Sequence, residues 1–430
     1  MWISFNNDIY NKEKRYNIYI DEDVYIMMNR ENEIKIFSLM AGIEEPWVLE
    51  KVEVDENKDL HMYVKYKRGE KFKCNQCQKL CSVHDTINKT WRHLNCFEHK
   101  TYIHCKVPRI KCEKHGVHLV EVPWAKSNSG FTILFEEFVM QLSKKMSILS
   151  ISKLLNESNG RLWRIVHRYA KEYMENLEFS KVTKIGLDET SRKGHEYITV
   201  FIDLDTSRVL YIADGKKAST IEEFKQFFIQ HNGNPENVTD ITCDMSMGFT
   251  AGIKKAFKNS KIIYDKFHVM KVINETLDKV RKSEVSEQPI LKRTRYLWLK
   301  NQSNLKEEQQ ENIKRMSKMN LKTGKAYRLK LAFQDIYNIN YSIQIAEGEF
   351  KEWIQWAIRS KLLEFKSAAK TIGSKLSGIL NYFENKLTNA VLEGTNSMIQ
   401  SIKSRARGYK RIENFKAMIY LMNSEHGIVG

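Results

Sequence analysis

The pentapeptide Ile185-Gly186-Leu187-Asp188-Glu189 is the stretch on which the fold turns. An apolar run breaks there into acid. The same break recurs at Ile241-Thr242-Cys243-Asp244 and at Ile262-Ile263-Tyr264-Asp265. Short apolar runs of this kind, rich in β-branched residues, read as buried strands. A fourth acid, Glu393, stands far downstream in Leu392-Glu393-Gly394-Thr395-Asn396. Carboxylates at the ends of separate strands converge on one edge of a sheet. Hard divalent cations bind such oxygen clusters, and two of them can clamp the attacking and leaving oxygens of a phosphodiester. The pattern predicts a metal centre for phosphoryl transfer.

Around these acids the periodicity predicts strands near 182–187, 196–204 and 208–213, with Asp205-Thr206-Ser207 as a turn. A helix follows near 219–230, then a breaker at Asn232-Gly233-Asn234-Pro235, a strand near 238–243, a helix near 247–257 and a strand at 261–264. Three neighbouring strands and then alternating helix and strand is the order of a ribonuclease-H-like core, a mixed α/β sheet. Asp203, Asp205 and Asp214 read as hairpin and turn residues. From Phe267 to about Tyr382 the chain reads almost wholly as helix, with the single proline Pro289. That is too long for a loop, so an inserted all-helical domain is expected. Its basic residues Lys292, Arg293, Arg295 and Lys300 suit DNA, although a solvated helix face is the commoner explanation. A last helix near 389–405 puts Glu393, Asn396 and Gln400 on the side away from Val391, Leu392, Met398, Ile399 and Ile402. Gly394 costs that helix ~1 kcal/mol relative to alanine. Lys403, Arg405 and Arg407, with Lys410 and Arg411, form a phosphate-binding candidate.

Upstream, Cys74-Asn75-Gln76-Cys77 and Cys112-Glu113-Lys114-His115 are two knuckles of metal-ligand spacing. Each tight turn can present two side chains to one ion, so Cys74, Cys77, Cys112 and His115 are expected to hold one structural Zn2+ tetrahedrally. Cys81, His84, Cys96, Cys105 and His118 lie nearby and should stay unbound in a four-coordinate site. The alternative is a set of reduced, unliganded thiols. Strands are expected from Ile34 to Tyr66 and between the knuckles. Residues 131–177 read as helices: a short one around Ile148–Leu155, a turn at Asn156-Glu157-Ser158-Asn159-Gly160, and a basic one carrying Arg161, Arg164 and Arg168. This is the helix-turn-helix pattern, whose second helix enters the major groove; an ordinary helical hairpin gives the same pattern.

The chain of 430 residues holds 70 Lys and Arg against 53 Asp and Glu, a formal charge of +17. That excess favours a polyanionic partner through counterion release. No apolar run approaches the ~20 residues of a membrane span, so no membrane partner is expected. Met1-Trp2-Ile3-Ser4-Phe5 runs straight into polar Asn6-Asn7-Asp8, unlike a secretory signal, and Met27 and Met28 offer alternative starts. Six of the seven cysteines fall between Cys74 and Cys112, which suits a metal site better than a disulfide framework. The expected organisation is an N-terminal extension (1–33), a strand-rich zinc-binding module (34–125), a helix-turn-helix domain (126–180), the first part of the sheet core (181–268), the helical insertion (269–382) and the last part of the core (383–430).

Leu187-Asp188-Glu189-Thr190-Ser191-Arg192-Lys193-Gly194-His195, Asp244-Met245-Ser246, Asp265-Lys266-Phe267-His268-Val269-Met270-Lys271 and Glu393-Gly394-Thr395-Asn396 resemble the ISL-three family of bacterial insertion-sequence transposases. With the knuckles and the helix-turn-helix, the resemblance runs from about Ile34 to the C-terminus. It implies a DDE-type enzyme with a ribonuclease-H-like catalytic domain, its three metal-binding carboxylates at Asp188, Asp244 and Glu393. It implies two Mg2+ or Mn2+ ions, hydrolysis of a DNA phosphodiester, and transfer of the exposed 3′-hydroxyl to a target strand. It further implies that the zinc module and helix-turn-helix read terminal inverted repeats of double-stranded DNA, with at least two copies of the chain in the synaptic complex, in the bacterial cytoplasm. Family members often end the second knuckle with cysteine where this chain has His115, itself a legitimate zinc ligand. Asp265 with His268 matches an Asp-x-x-His element of related transposases and is the alternative second ligand; its plainer reading is a helix N-cap. Glu189 reads as a neighbour of the metal ligands or a residue pointing off the strand.

Two other classes fit parts of the pattern. One is a zinc and helix-turn-helix DNA-binding regulator with an inactive sheet domain. The other is a ribonuclease-H-like nuclease or resolvase that cuts without joining.

Overall fold

The computed structural model describes residues 22–194, 196–338, 342–385 and 390–423. They divide into two compact units, one holding the chain up to Lys145 with Ile151–Glu157, the other Met146–Ser150 and everything from Ser158. Most of the expected N-terminal extension, together with His195, lies outside the described residues.

In the first unit, helix α1 (Glu22–Ala41) runs through the expected boundary at 33/34 and replaces the strand expected from Ile34. It stops where glycine allows it. Gly42 takes φ +63°, and the amides of Gly42 and Ile43 donate back to the carbonyls of Leu39 and Ser38 at 3.2 and 2.9 Å. That is a glycine C-cap closing the helix's last carbonyls. The strands are β1 (Trp47–Val54), β2 (Leu60–Tyr66), β3 (Phe72–Lys73), β4 (Leu80–Cys81), β5 (Val83–Cys96), β6 (His99–Cys112) and β7 (Gly116–Leu119). They form a sheet in the order β1-β2-β6-β5, with β7 on β6, and a separate β3-β4 pair. Trp47, Trp91, Trp124, Ile103 and Val107 fill the core, and Cys74 and Cys112 join it. Helix α2 (Ile133–Ser143) follows, capped by the Thr132 hydroxyl, which accepts from the Phe135 amide.

Helices α3 (Ile148–Leu155) and α4 (Asn159–Glu175) match the expected short and basic helices. Asn156 makes the turn between them at φ +48°, a left-handed conformation that asparagine tolerates.

The second unit is built on strands β8 (Lys184–Lys193), β9 (Glu196–Asp203), β10 (Val209–Asp214), β11 (Asp240–Cys243) and β12 (Lys261–Tyr264). Their order is β10-β9-β8-β11-β12. The first three pair antiparallel, whereas β8, β11 and β12 run parallel. One face of the sheet (Ile185, Leu187, Phe201, Leu210) packs with α5 (Ala218–Gln230) and α6 (Met247–Ala256) through Phe224, Phe228 and Ile253. Helices α7 (Lys266–Glu284), α8 (Arg295–Leu299), α9 (Glu307–Ser317), α10 (Lys322–Asn338), α11 (Ile343–Arg359), α12 (Leu363–Ser374) and α13 (Leu376–Asn385) form the expected insertion. It has no core of its own. One continuous cluster joins Phe201 and Ile185 to Val269 and Ile273 of α7, then to Trp298, Phe333 and Trp353. The reason is α7, which starts directly after β12 and carries the sheet's apolar face onward.

Helices α14 (Ala390–Arg405) and α15 (Ile412–Asn423) complete the unit. α14 lies along β8. Leu392 meets Gly186, the Asn396 amide donates to Asp188 at 2.5 Å, Gln400 donates to the Thr190 hydroxyl at 3.3 Å, and Lys403 donates to the Ser191 carbonyl at 2.7 Å. Four helical residues rise ~6 Å and two strand residues ~6.6 Å, so contacts four apart on the helix track contacts two apart on the strand. Gly186 permits the approach: a Cβ there would stand 2.7 Å from Leu204 Cδ2 and 3.0 Å from Leu392 Cδ2. Gly186→Val is therefore expected to lift α14 and destabilise the protein by about 1–3 kcal/mol. Chemical denaturation checks this; an unchanged midpoint with a normal slope would refute it.

Candidate active site

Asp188 does not end its strand. β8 continues to Lys193, with Asp188 opposite Val200 of β9. On its other side, pairing with β11 stops at Gly186 opposite Thr242. Asp188 thus sits where one edge of β8 loses its neighbour. Thr242 in turn lies opposite Ile263 of β12. Two residues further along each strand come Asp188, Asp244 and Asp265, level with one another on strands ~4.8 Å apart. The Asp265 amide still donates to the Cys243 carbonyl at 3.0 Å, which holds the third aspartate beside the second.

Each acid is tied to its own backbone. Asp188 Oδ1 accepts from the Glu189 amide at 2.8 Å, and Asp244 Oδ1 from the Ser246 amide at 2.9 Å. Asp265 caps α7, accepting from the Phe267 amide at 2.6 Å, while its other oxygen holds His268 Nδ1 at 3.0 Å. The N-cap expected of Asp265 is present, and the same side chain meets His268. Burial pushes the Asp188 carboxyl above the usual carboxylate range; the Asn396 amide, His268 and the Glu189 amide oppose this. The hydrogen bond to Asp265 raises His268 above its usual value, and the charges of Asp265, Asp188 and Asp244 add to it. One imidazole lies close to three carboxylates.

Glu393 is exposed, one turn before Asn396 on α14, and residues three apart share a helix face. Together with His268 it lines a cavity of about 1120 Å³. The structure brings Asp188, Asp244, Asp265, His268 and Asn396 together and puts Glu393 at the rim. Sequence reasoning missed Thr190 with Gln400, and the part Gly186 plays in seating α14. The matched spacings, two on the strand and four on the helix, were the available signal.

In the first unit, Cys74 Sγ lies 3.4 Å from His115 Nδ1, Cys77 Sγ 3.6 Å from Cys112 Sγ, and Cys112 Sγ 3.6 Å from His115 Nδ1. Tetrahedral zinc with Zn–S ~2.3 Å and Zn–N ~2.05 Å requires edges of ~3.5–3.8 Å. The four side chains fit that ion. Backbone amides of Lys114 and His115 bring the Cys112 thiol down to about 6, which favours the thiolate that a metal binds. Among the described residues this is the one group of three or more such ligand atoms lying within 4.8 Å of one another. Burial pushes the Cys105 thiol up to about 12, consistent with a packing role. The carboxylates of the sheet are a looser set made only of oxygens, the donors that Mg2+ and Mn2+ prefer.

The basic candidates separate. Arg164 is exposed on α4, while Arg161 and Arg168 are half-buried. One side of α4 rests on the C-terminal region: Trp163 lies 6.3 Å from the Tyr409 ring, and His167 Nε2 2.8 Å from Asn414 Oδ1. Lys403 is engaged with β8, and Arg405 turns back to Ser401 and Met422. Arg407 is exposed.

A transposase family profile matches residues 185–419, more than half of the chain. A second profile, described as the helix-turn-helix domain of transposase family ISL3, matches residues 120–170. The chain belongs to the ISL3 family of insertion-sequence transposases. The transposase for insertion sequence element IS1557 of Mycobacterium tuberculosis is 23% identical over 432 aligned residues, covering 91% of this chain and 96% of the relative. The transposase for insertion sequence element IS1001 of Bordetella parapertussis is 25% identical over 353 residues, covering 80% and 86%. Among solved structures, the Drosophila P element transposase strand transfer complex aligns over 70% of this chain and 95% of that one, with 10% identity and a TM-score of 0.42. That TM-score is too low to support an argument about fold or chemistry. No helix among the described residues is long and apolar enough to cross a membrane.

Proposed function

We propose that the second unit is a ribonuclease-H-like DDE catalytic domain that cleaves DNA at the ends of an insertion sequence and joins the freed 3′-hydroxyl to a target strand. The observation that supports this reading is the register that brings Asp188 of β8 and Asp244, just past the end of the adjacent parallel strand β11, to the same level, with α14, which carries Glu393, bonded to Asp188 through Asn396. The strand order β10-β9-β8-β11-β12, antiparallel then parallel, is the arrangement expected of such a core.

Asp188, Asp244 and Glu393 would hold two Mg2+ or Mn2+ ions. Bound there, the ions would supply Lewis acidity to phosphate oxygens and lower the pKa of an attacking water or hydroxyl. The chain's own part is orientation and charge. Asn396 and the Glu189 amide fix the Asp188 carboxylate. Asp265 holds His268 in place beside the acids, and the hydrogen bond to Asp265 and the acids' charges raise its pKa above the usual value. Asp265 is the alternative second ligand. In the first unit, Cys74, Cys77, Cys112 and His115 would hold one structural Zn2+. The zinc module and α4, with Arg161, Arg164 and Arg168, would bind the inverted repeats of double-stranded DNA, and Lys403, Arg405 and Arg407 would add phosphate contacts. A homo-oligomer would pair two ends in the bacterial cytoplasm.

The test is incubation of purified protein with DNA carrying the element's ends and a target plasmid. Nicking and joined products that require Mg2+ or Mn2+ and vanish with chelator are expected. DNA binding without metal-dependent cleavage would instead support the inactive regulator, and cleavage without joining the nuclease or resolvase.

A further inference from the structure

The cavity lined by Glu393 and His268 extends well beyond these two residues. It continues as a groove along α7 to Arg295, Leu299 and Asn301 at its far end. From Lys266 to Lys282 its α7 wall covers sixteen helical steps, or ~24 Å. At the ~3.4 Å per nucleotide of a stacked strand, that is room for about seven nucleotides.

Two properties of the wall select the occupant. The first is charge. Five lysines and arginines line it against three acids. One of those acids, Asp278, is met by Arg281 at 2.7 Å, Lys282 at 3.2 Å and Arg295 at 3.3 Å. Lys271 and Lys279 stand exposed along it. The second is an aromatic ring at the catalytic mouth. Phe267, two residues after Asp265, is 67% exposed, and Tyr382 shares the wall. A duplex keeps its base faces stacked inside and offers phosphates to such a wall. An unpaired strand offers phosphates and ring faces together, and cationic grooves with aromatic platforms are how single strands are held.

We propose that the α7 groove holds one unpaired DNA strand running away from the carboxylates. Its phosphates lie on Lys271 and Lys279, and a base stacks on Phe267. The inserted helices are then a wall of the substrate channel. Their geometry is set by two polar anchors. Glu284 at the end of α7 accepts from the Lys322 and Thr323 amides at 2.7 Å each. Buried Lys330 donates to the carbonyls of Trp298, Leu299 and Lys300 at 3.1, 2.9 and 3.0 Å.

This inference rests on the DDE reading above, and one pair of assays separates their failures. Full-length protein is titrated, by fluorescence anisotropy without catalytic metal, with duplex ends that are blunt or carry an unpaired tail of about seven nucleotides. The tail should tighten binding about fivefold or more. Lys271→Glu/Lys279→Glu and Phe267→Ala should each remove most of that gain while leaving blunt-end affinity in place. The milder Lys271→Gln/Lys279→Gln pair serves if the charge reversal disturbs folding. Equal affinity for blunt and tailed ends, or a gain that persists in the variants, overturns the groove. Absence of metal-dependent cleavage by wild-type protein, measured separately, overturns the DDE reading.

Discussion

Asp188→Ala protein is expected to bind element ends as wild type does and to cleave them at least about a thousandfold more slowly, the loss of several kcal/mol of charge stabilisation. The argument is positional. Asp188 is held by the Glu189 amide and by Asn396 of α14, so it links the sheet to the helix that carries Glu393. Glu393→Gln should fall nearly as far. Asp265→Asn, which also loosens His268, should cost about 10–100-fold if Asp265 only positions other groups. A thousandfold loss there, with Asp244→Asn mild, would make Asp265 the metal ligand in place of Asp244. Single-turnover cleavage of labelled ends ranks the four variants; undiminished cleavage by Asp188→Ala would sink the assignment. Stability should move the opposite way from activity. Burial raises the Asp188 pKa above its unfolded value, so its favourable contribution is complete below about 3.8 and is lost as pH rises through the raised folded value. At neutral pH the ionised, metal-free carboxylate is therefore destabilising. Asp188→Asn should melt above wild type in chelator at pH 7, and the gap should close as pH falls toward 4.

Much of this site was legible in the sequence because its signals are local. Apolar runs broken by acid marked β8, β11 and β12, and the two-residue spacers marked both knuckles. What the sequence hid depends on pairing partners. Asp188 looks like a strand end because the apolar run stops, yet β8 continues to Lys193, sustained by β9. Whether a strand continues is decided by its neighbour's hydrogen bonds, which lie outside the segment. The helices between Asp265 and Glu393 looked like a separate domain because a run of amphipathic helices says nothing of whose core it shares. Lys403 read as a free phosphate ligand; its contact with the Ser191 carbonyl appears only once α14 is laid on β8. The reading of 34–41 as strand failed for a different reason. Gly42, at φ +63°, closes α1 there, and the residues before it follow the helix it ends.

Removing zinc should unfold part of the first unit and leave the second standing. The segment holding Cys74 and Cys77 has little regular structure to secure it: β3 and β4 are two residues each. The other knuckle sits at the turn between β6 and β7. One ion through Cys74, Cys77, Cys112 and His115 would tie the two together, and such sites contribute folding energy directly. The larger sheet has its own core of Trp47, Trp91 and Trp124, so collapse should be local in the sheet and complete in the knuckle. Chelation, or Cys74→Ser, is expected to lower the melting transition of this unit by at least about 10 °C. Proteases should then cut between Lys67 and Ser82, while the transition of the second unit stays in place. Acid should act like chelator. Protons compete with the ion for the thiolates and for His115, so zinc affinity is expected to fall as the pH is lowered. Metal analysis should return one zinc per chain, and none for a Cys74→Ser/Cys112→Ser protein. A full zinc complement in that double variant, or an unchanged melt after the metal has been stripped, would overturn the structural-zinc assignment without touching the carboxylate site.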